Sequence, residues 1–370
     1  MSNRDIIQVE AISEANRHFR CGLGISMGVG KTLIGLLHMV AHYKKDRKFL
    51  VVAPKVSIFQ SWKDDAVKFK KSYLLDNIEF TTYLSLNKHN PSDYAVVYLD
   101  ECHSLLYSHK DFLDAYKGKI LGLTGTPPVR QYTEKGKMVN QYCPIVYRYQ
   151  IDEAVDANIL NDYKIIVHML SLSTAKNIKV DRKDGRSFYT SEVDQYNYCN
   201  TRIATSTSGS KSHQFAVIAR MTAIKQFKTK ETYAAELAKK LDGKLIIFAN
   251  TQAQADRLCS YSYHSKNPNS QDNLLKFKSG EITQLSCVDQ LSEGVTIPHL
   301  DTGIILHAYG NERKTSQRLG RLLRLNPDMV SEVHILCYKD TVDTKWVADA
   351  LKGIDEDKVQ YVDTTKPWVW

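Results

Sequence analysis

Short runs of apolar, β-branched residues recur along the first part of the chain and alternate with segments of helical character. The runs are FLVVA (49–53), YAVVYL (94–99) and KILGLT (119–124), and LIGLLHMVAHY (33–43) has the character of an apolar helix. Buried strands that alternate with helices are typical of a parallel sheet covered on both faces. This part of the chain is therefore predicted to be an α/β domain.

The same alternation begins again after residue 160 and predicts a second α/β domain. Its strand-like runs are YKIIVHML (163–170), KLIIFAN (244–250), TQLSCV (283–288), TGIILH (302–307) and EVHILCY (332–338). We place the N-terminal domain at 1–155 and the C-terminal domain at 156–370. Residues 171–212 are polar and end in the Ser/Thr-rich TRIATSTSGSKS, which favours a loop or insertion outside the core. That excursion is either a solvated surface segment or a loop with a nucleic-acid-binding or regulatory role.

The composition fits two globular domains of ordinary size. The chain has 370 residues, 43% of them hydrophobic and 25% charged. No apolar run approaches the ~20 residues that a membrane span needs. The opening MSNRDIIQVE has no apolar signal-peptide core, so we expect a cytoplasmic protein, in the host cytoplasm if the chain is phage-encoded, and no membrane partner.

The net charge of +9 is concentrated in the first part of the chain. Residues 1–150 carry 21 Lys/Arg against 14 Asp/Glu, while residues 151–370 carry 29 against 27. This excess suits a polyanionic partner. Seven cysteines are scattered singly with no C-x-x-C pair, so they are predicted to be reduced packing residues rather than zinc ligands or a redox motif. They are Cys21, Cys102, Cys143, Cys199, Cys259, Cys287 and Cys337.

A glycine-rich turn, ISMGVGKT (25–32), leads directly into the predicted helix at 33–43. Gly28 and Gly30 allow the backbone to curl around phosphate oxygens without a Cβ clash. Lys31 would neutralise the β and γ phosphates, and the Thr32 hydroxyl would hold Mg²⁺. The backbone N–H groups and the dipole at a helix N-terminus also favour an anion there.

The turn departs from the strict phosphate-loop pattern at its beginning. Ile25 occupies the position of the first glycine, and Gly24 lies one residue too early. A glycine turn without a ligand is the alternative interpretation.

An acidic pair follows the second predicted strand, in LDECH (99–103). Asp100 would emerge at the carboxyl end of the sheet, where open α/β sheets bind ligands. It is expected to hold Mg²⁺ through water, and Glu101 to act as the base that orients or deprotonates the attacking water. The alternative is an acidic pair that only caps a helix.

A basic helix is predicted at QRLGRLLR (317–324). Spacings of four and three place Gln317, Arg321 and Arg324 on one helical face. Two arginines on one face beside Gly320 indicate a phosphate clamp of the arginine-finger kind, in which ATP would lie between the two domains. A solvated basic face is the alternative.

These segments together resemble the core of a superfamily 2 helicase, the class of two RecA-like domains that includes DEAD/DEAH-box helicases and Swi/Snf-type remodelers. The resemblance extends from about Ile7 to Arg324. The segments, given with the motif that each resembles, are ISMGVGKT (motif I in the remodelers' form), VVAPKVSIFQSW at 51–62 (motif Ia), TTYLSL at 81–86 (the next strand-binding motif), LDECH (motif II in a DExH form), LTGTPP at 123–128 (motif III), KLIIFANT at 244–251 (motif IV), QLSEGVTIP at 290–298 (motif V) and QRLGRLLR (motif VI).

The resemblance implies two RecA-like, phosphate-loop NTPase domains, each a mainly parallel sheet flanked by helices, with ATP and Mg²⁺ bound in the cleft between them. It also implies roles for individual residues. The implied nucleotide-binding residues are Gln8 (adenine), Gly28, Val29, Gly30, Lys31, Thr32 and Gly294. The implied catalytic residues are Lys31, Asp100, Glu101, Gln317, Arg321 and Arg324. Coupling of the ATP site to nucleic acid is implied for His103, and coupling of hydrolysis to domain movement for Thr124 and Thr126. Phosphate contacts with the strand are implied for Lys55, Ser57, Thr82, Asn250 and Thr251.

Motif V departs from the DEAD-box pattern, since Thr296 stands where an aspartate is usual and Val288 where a threonine is usual. This argues against a DEAD-box RNA helicase. The resemblance therefore implies an ATP-dependent DNA helicase or translocase, similar to small phage-encoded helicases that remodel single-stranded or branched DNA. An RNA helicase and a nucleotide-gated binding module without productive unwinding are the alternatives. The terminal Trp368 and Trp370 are expected to dock on their own domain or on a protein partner.

Overall fold

The computed structural model describes residues 2–26, 28–128, 130–181, 185–288, 297, 299–300, 302–308, 330–352 and 354–364. The chain divides into two compact units, one built on residues up to Asp162 and the other on most residues from Tyr163 onward. Each contains a largely parallel sheet with helices around it, so the predicted fold class of two α/β domains is confirmed. The domain limits 1–155 and 156–370 stay a prediction.

The first unit is built on a parallel sheet of six strands among the described residues, in the order β3-β2-β4-β5-β1-β6. The strands are β1 Arg20–Ile25, β2 Lys48–Ala53, β3 Ile78–Thr82, β4 Tyr94–Asp100, β5 Lys119–Thr124 and β6 Ile145–Tyr149. The described helices of this unit are α1 Asn3–Asn16, α2 Lys31–His42, α3 Ser57–Lys68, α4 Lys110–Ala115, α5 Glu134–Tyr142 and α6 Ile151–Asp156.

The central strands of this sheet are buried along almost their whole length. In β2 every residue after Lys48 is buried, and in β5 every residue after Lys119. Continuous burial means that both faces are covered, which is why these strands read as apolar runs rather than as alternating patterns. Trp62 of α3 lies fully buried beside Gly35 of α2, where an added Cβ would come within 2.4 Å of the indole.

The second unit contains a sheet of seven strands within the described ranges, in the order β11-β12-β10-β13-β14-β7-β15. The pairs β11–β12, β12–β10, β10–β13, β13–β14 and β7–β15 are parallel. The strands are β7 Asp162–Leu170, β10 Leu245–Phe248, β11 Ser262–Tyr263, β12 Gln284–Cys287, β13 Thr302–Ile305, β14 Val330–Tyr338 and β15 Val359–Asp363. The described helices are α7 Glu192–Thr205, α8 Lys211–Gln226, α9 Lys228–Ala238, α10 Gln252–Leu258, α11 Ser270–Ser279 and α12 Val342–Ala350.

The polar stretch 171–212 differs from the expected loop because much of it has regular structure. It contains an antiparallel hairpin of β8 Ile178–Asp181 and β9 Ser187–Thr190, followed by helix α7. Tyr196 and Cys199 of helix α7 are buried in the second unit. The stretch lacks long apolar runs because only a few of its positions reach the core.

All seven cysteines carry thiols, and six of them are buried. Among the described helices, none is both long and apolar enough to cross a membrane.

A buried ion pair ties helix α9 to helix α12 in the second unit. The side chains of Lys230 and Asp343 are 1% and 0% exposed, and the lysine Nζ donates to Asp343 Oδ2 and to the Leu306 carbonyl, 2.9 Å away. The same carboxylate oxygen accepts a hydrogen bond from the Tyr338 backbone N–H at 2.8 Å. The hydrogen bonds of Lys230 and Asp343 thus connect the ends of β13 and β14 to helices α9 and α12.

We predict that Lys230→Met destabilises the second unit by about 3–5 kcal/mol, because Asp343 would remain buried without its cation. The chain has two units and need not unfold in one step, so the measurement is native-state hydrogen exchange at the amides of β13 and β14. Lys239→Met is the matched control, since its ion pair with Glu236 is exposed and contributes little. A Lys230→Met protein no less stable than this control would contradict the prediction.

Candidate active site

The carboxyl ends of three adjacent strands form one edge of the first sheet. Strand β5 lies between β4 and β1, with Asp100 opposite Leu123 and Thr124 opposite Gly24. The segments that follow β1, β4 and β5 therefore leave the sheet side by side. The glycine turn, the acidic pair and the two threonines of LTGTPP are brought together at the edge where open α/β sheets bind ligands.

The glycine turn has the backbone conformation that only glycine adopts easily. Gly28 and Gly30 have φ values of +91° and +100°. A Cβ on Gly28 would come 2.6 Å from Leu160 Cδ2, and one on Gly30 would come 2.7 Å from Gln8 Nε2. Gly30 is the N-cap of α2 and offers no side-chain cap, so the backbone N–H groups of the first turn, beginning at Lys31, are available to an anion.

Gln8 lies beside this turn rather than apart from it. Its side chain is buried, and Nε2 donates to the Val29 carbonyl at 2.7 Å. Helix α1 is thereby attached to the middle of the turn. The glutamine that the resemblance assigned to adenine also holds the loop backbone.

Asp100 is a buried carboxylate held by two donors. The Trp62 indole N–H donates to Oδ2 at 2.8 Å, and the Glu101 backbone N–H donates to Oδ1 at 2.9 Å. Burial, followed by the adjacent charge of Glu101, raises the pKa of Asp100 to about 6, although the Trp62 hydrogen bond and the charge of Lys31 act in the opposite direction. Glu101 itself has a left-handed backbone, with φ of +50°, an unfavourable conformation of the kind found at functional sites.

A short polar chain joins the acidic pair to the next strand. His103 Nδ1 lies 2.6 Å from Thr124 Oγ1 and 3.4 Å from Glu101 Oε2. The Thr126 backbone N–H donates to the same threonine oxygen at 3.1 Å. The residues that the resemblance assigned to coupling are therefore in contact with one another.

Three buried oxygen atoms at this edge have no hydrogen-bond partner among the described residues: Ser26 Oγ, Thr126 Oγ1 and Glu101 Oε2. A buried polar atom without a partner costs about 1–3 kcal/mol, so such atoms require a reason. A polyphosphate with its cation and water would give them partners. The donor set of this edge therefore fits a bound nucleoside triphosphate.

Three residues of this edge were missed as site residues: Ser26, Trp62 and Asp65. Ser26 and Trp62 lie inside the segments quoted for motifs I and Ia, but nothing in a sequence shows that an indole N–H reaches a carboxylate 38 positions away. Asp65 is half-buried, which raises its pKa, while nearby Lys68 and a hydrogen bond from Thr32 lower it. Its contact with Thr32 had no signal in the sequence.

The candidate strand contacts lie at the carboxyl ends of strands in their own units. Lys55 and Ser57 are exposed after β2, and Thr82 ends β3 partly exposed. In the second unit, Thr251 caps α10 by accepting from the Gln254 N–H at 3.2 Å, and Asn250 precedes it. The hydroxyl of Thr251 is thus already engaged in capping. The remaining predicted site residues lie outside the described part of the chain: Gly294, Gln317, Arg321, Arg324, Trp368 and Trp370.

Two family models match separate parts of the chain. Residues 4–129 match the model described as Type III restriction enzyme, res subunit. Residues 228–326 match the model described as Helicase conserved C-terminal domain.

One curated relative is similar over most of its length. The DNA 3'-5' translocase XPB2 of Sulfurisphaera tokodaii is 25% identical over 352 residues, which cover 86% of this chain and 77% of that protein.

Solved structures share the fold at low sequence identity. The ATP-dependent Type ISP restriction-modification enzyme LlaBIII bound to DNA is 15% identical with a TM-score of 0.59, over 99% of this chain but only 32% of that enzyme. The Hef helicase domain of Pyrococcus furiosus is 15% identical with a TM-score of 0.52, over 95% of this chain and 100% of that domain. These likenesses show the fold, two RecA-like α/β domains.

The raised pKa of Asp100 predicts a specific pH dependence of stability in EDTA without nucleotide. The unfolded carboxyl loses its proton near the ordinary value of 3.8 but the folded one only near 6, so the folded state binds the proton more tightly. Relative to Asp100→Asn, the unfolding free energy of the unmodified protein is expected to fall as the pH rises from about 4 to about 6. Native-state hydrogen exchange at the amides of β4 and β5, corrected for the intrinsic exchange rate at each pH, measures this difference for the first unit.

Trp62→Phe provides the second arm of that experiment, because it removes an N–H donor that favours the ionised carboxyl. In the Trp62→Phe protein, the unfolding free energy is expected to go on falling to higher pH than in the unmodified protein. A stability difference that stays constant from pH 4 to pH 7 would contradict the raised pKa.

Proposed function

We propose that this chain, which has the core of a superfamily 2 helicase, hydrolyses ATP at the carboxyl edge of the first sheet and uses the hydrolysis to move along DNA. The chain is an ATP-dependent DNA helicase or translocase. The observation that supports the proposed site is the convergence of the glycine turn, the Asp100–Glu101 pair and the Thr124 network at one edge. Three buried oxygens at that edge have no hydrogen-bond partner among the described residues.

In the proposed site, the phosphates lie on the backbone N–H groups of the glycine turn, and Lys31 neutralises them. Thr32 and Asp100 supply hydroxyl and carboxylate oxygens, the ligands that Mg²⁺ prefers. When bound, the cation draws charge from the phosphate oxygens. Trp62 fixes the orientation of the Asp100 carboxylate through its indole N–H.

Glu101 is proposed to take the proton from the attacking water. Its Oε2 accepts no hydrogen bond among the described residues, and its side chain is 13% exposed, so it is enclosed yet able to accept a proton. His103 lies between this carboxylate and Thr124, and we propose that the contact transmits the state of the nucleotide to the segment after β5. We propose that Gln317, Arg321 and Arg324 complete the site as phosphate-binding and finger residues, with Gly294 near the nucleotide.

The DNA contacts are proposed to run through the phosphate backbone at Lys55, Ser57, Thr82, Asn250 and Thr251. Binding should then depend strongly on salt and weakly on sequence. We retain a protein partner for the Trp368–Trp370 tail as a proposal.

The function is tested by steady-state ATPase activity, measured alone and with single-stranded DNA, branched DNA and RNA at low and high salt. We expect DNA to stimulate turnover and high salt to reduce the stimulation, because the contacts are electrostatic. Stimulation by RNA in preference to DNA would indicate an RNA helicase instead. A rate that no nucleic acid changes would indicate a nucleotide-gated binding module.

The site is tested by two substitutions with separable effects. Lys31→Ala should lower kcat by about a hundredfold or more, because a preorganised positive charge on the phosphates is lost. Glu101→Gln should keep ATP affinity but lower kcat by about 10²–10⁴-fold, because only proton transfer is removed. For each variant, equilibrium binding of a labelled ATP analogue measures the change in affinity, and single-turnover hydrolysis measures the change in the chemical step.

Glu236→Gln is the matched control for the second substitution. Glu236 is an exposed carboxylate of α9 whose pairing with Lys239 is solvated, so turnover should not change. If Glu101→Gln loses ATP binding in a folded protein, Glu101 is not the base proposed here.

A further inference from the structure

Helices α7 and α8 form a helical hairpin that is anchored in the second unit only at its base. Arg220 Nη1 donates to Asn200 Oδ1 at 2.9 Å, and Ser206 Oγ lies 3.1 Å from His213 Nδ1, so the helices run antiparallel. Near the base, Tyr196 and Ile224 are buried in the core of the unit. We call residues 192–226 the helical hairpin.

The outer part of the helical hairpin lies on the surface. Within the described residues, none between Thr201 and Phe215 is buried. Three large side chains in and next to this stretch are also exposed: Tyr198 by 63%, Phe215 by 67% and Ile218 by 54%. Exposure of large side chains is common on protein surfaces, so it becomes informative here only together with the charge of the same helices.

After its first three residues, which include Glu192 and Asp194, the helical hairpin carries charge of one sign only. From residue 195 to residue 226 the sequence contains Arg202, Lys211, Arg220 and Lys225 but no aspartate or glutamate, in a chain with 41 acidic residues among 370. A segment of this length would ordinarily carry several carboxylates. Their absence leaves a positive surface that attracts a polyanion.

Each helix carries a cation and an exposed aromatic ring four residues apart. On α7, the Arg202 guanidinium is 5.9 Å from the Tyr198 ring centre, one helical turn apart. On α8, Lys211 and Phe215 are also four residues apart and share a face with Ile218. Each helix therefore carries a flat ring and a cation on the same face.

An aromatic ring beside a cation fits a ligand that has exposed flat bases joined by phosphates. Single-stranded nucleic acid has both, whereas a duplex hides the faces of its bases in the stack. We propose that the helical hairpin is a second binding surface for single-stranded DNA, with Tyr198 and Phe215 stacking on bases and Arg202 and Lys211 contacting phosphates. This inference rests on the proposed function, because it takes DNA as the substrate of the chain.

The test compares two double variants with matched controls. Tyr198→Ala/Phe215→Ala removes the rings, and Arg202→Glu/Lys211→Glu reverses the charges. Tyr361→Ala is the control for the rings because Tyr361 is 59% exposed on β15. Lys239→Glu/Lys352→Glu is the control for the charges, since both lysines are exposed and paired with acidic neighbours one helical turn away.

The measurement is the Kd for a fluorescent oligothymidine, from anisotropy at several salt concentrations. Loss of the rings should weaken binding by about tenfold or more. Loss of the cations should also reduce the slope of log K against log salt by about 1.4, the value for two phosphate contacts on a single strand. The controls should bind like the unmodified protein, and affinity for a blunt duplex should change less than affinity for the single strand.

Photocrosslinking of the unmodified protein to iodouracil-substituted single strands provides a readout that needs no variant. Crosslinks to peptides containing Tyr198 or Phe215 would support the proposal. Variants that bind the single strand normally, or that lose duplex binding equally, would overturn it and leave the surface to a protein partner.

The two proposals fail in different ways. If DNA stimulates the ATPase of the unmodified protein but the helical-hairpin variants bind normally, only the second surface is wrong. If DNA neither binds nor stimulates the unmodified protein, the proposed function itself is wrong.

Discussion

Parallel pairing of β4, β5 and β1 is the constraint on which the rest of the candidate site depends. Because the three strands run in the same direction in adjacent positions, every segment that leaves them emerges at one edge. The register places Asp100 and Thr124 near the level at which β1 runs into the glycine turn. The glycine turn therefore lies at the same edge as Asp100 and Thr124, although each of them is about 70 or more positions further along the chain.

Several polar side chains are buried at this edge of a largely apolar sheet. Asp100 is desolvated and is compensated by an indole N–H and a backbone N–H, while Ser26, Thr126 and Glu101 each retain an oxygen without a partner among the described residues. Such atoms lower stability, and the apolar core of the sheet offsets that cost. Unmet hydrogen-bonding capacity is typical of a site whose partners arrive with a ligand.

The second unit uses polar groups differently. Its buried Lys230–Asp343 pair forms hydrogen bonds with backbone groups at the ends of β13 and β14, so it links two helices to two strand ends. Its surface carries the helical hairpin, where aromatic rings and cations stay in solvent. The second unit therefore has a buried polar network inside and an exposed aromatic and basic surface outside, because the base of the hairpin packs in the core and its outer part does not.

The sequence by itself determined the class of fold, most of the central strands and the residue types of the phosphate loop, because continuous apolar runs and glycine spacing are local signals. It missed β1, since RCGLGI is interrupted by glycines that are needed for a non-local reason: a Cβ on Gly22 would lie 2.6 Å from the Cys143 carbonyl. It also misjudged 171–212, whose helix α7 reaches the core at only a few positions. The contacts of Trp62 with Asp100, of Gln8 with Val29 and of His103 with Thr124 were decided by tertiary structure alone, because each joins residues that lie more than twenty positions apart.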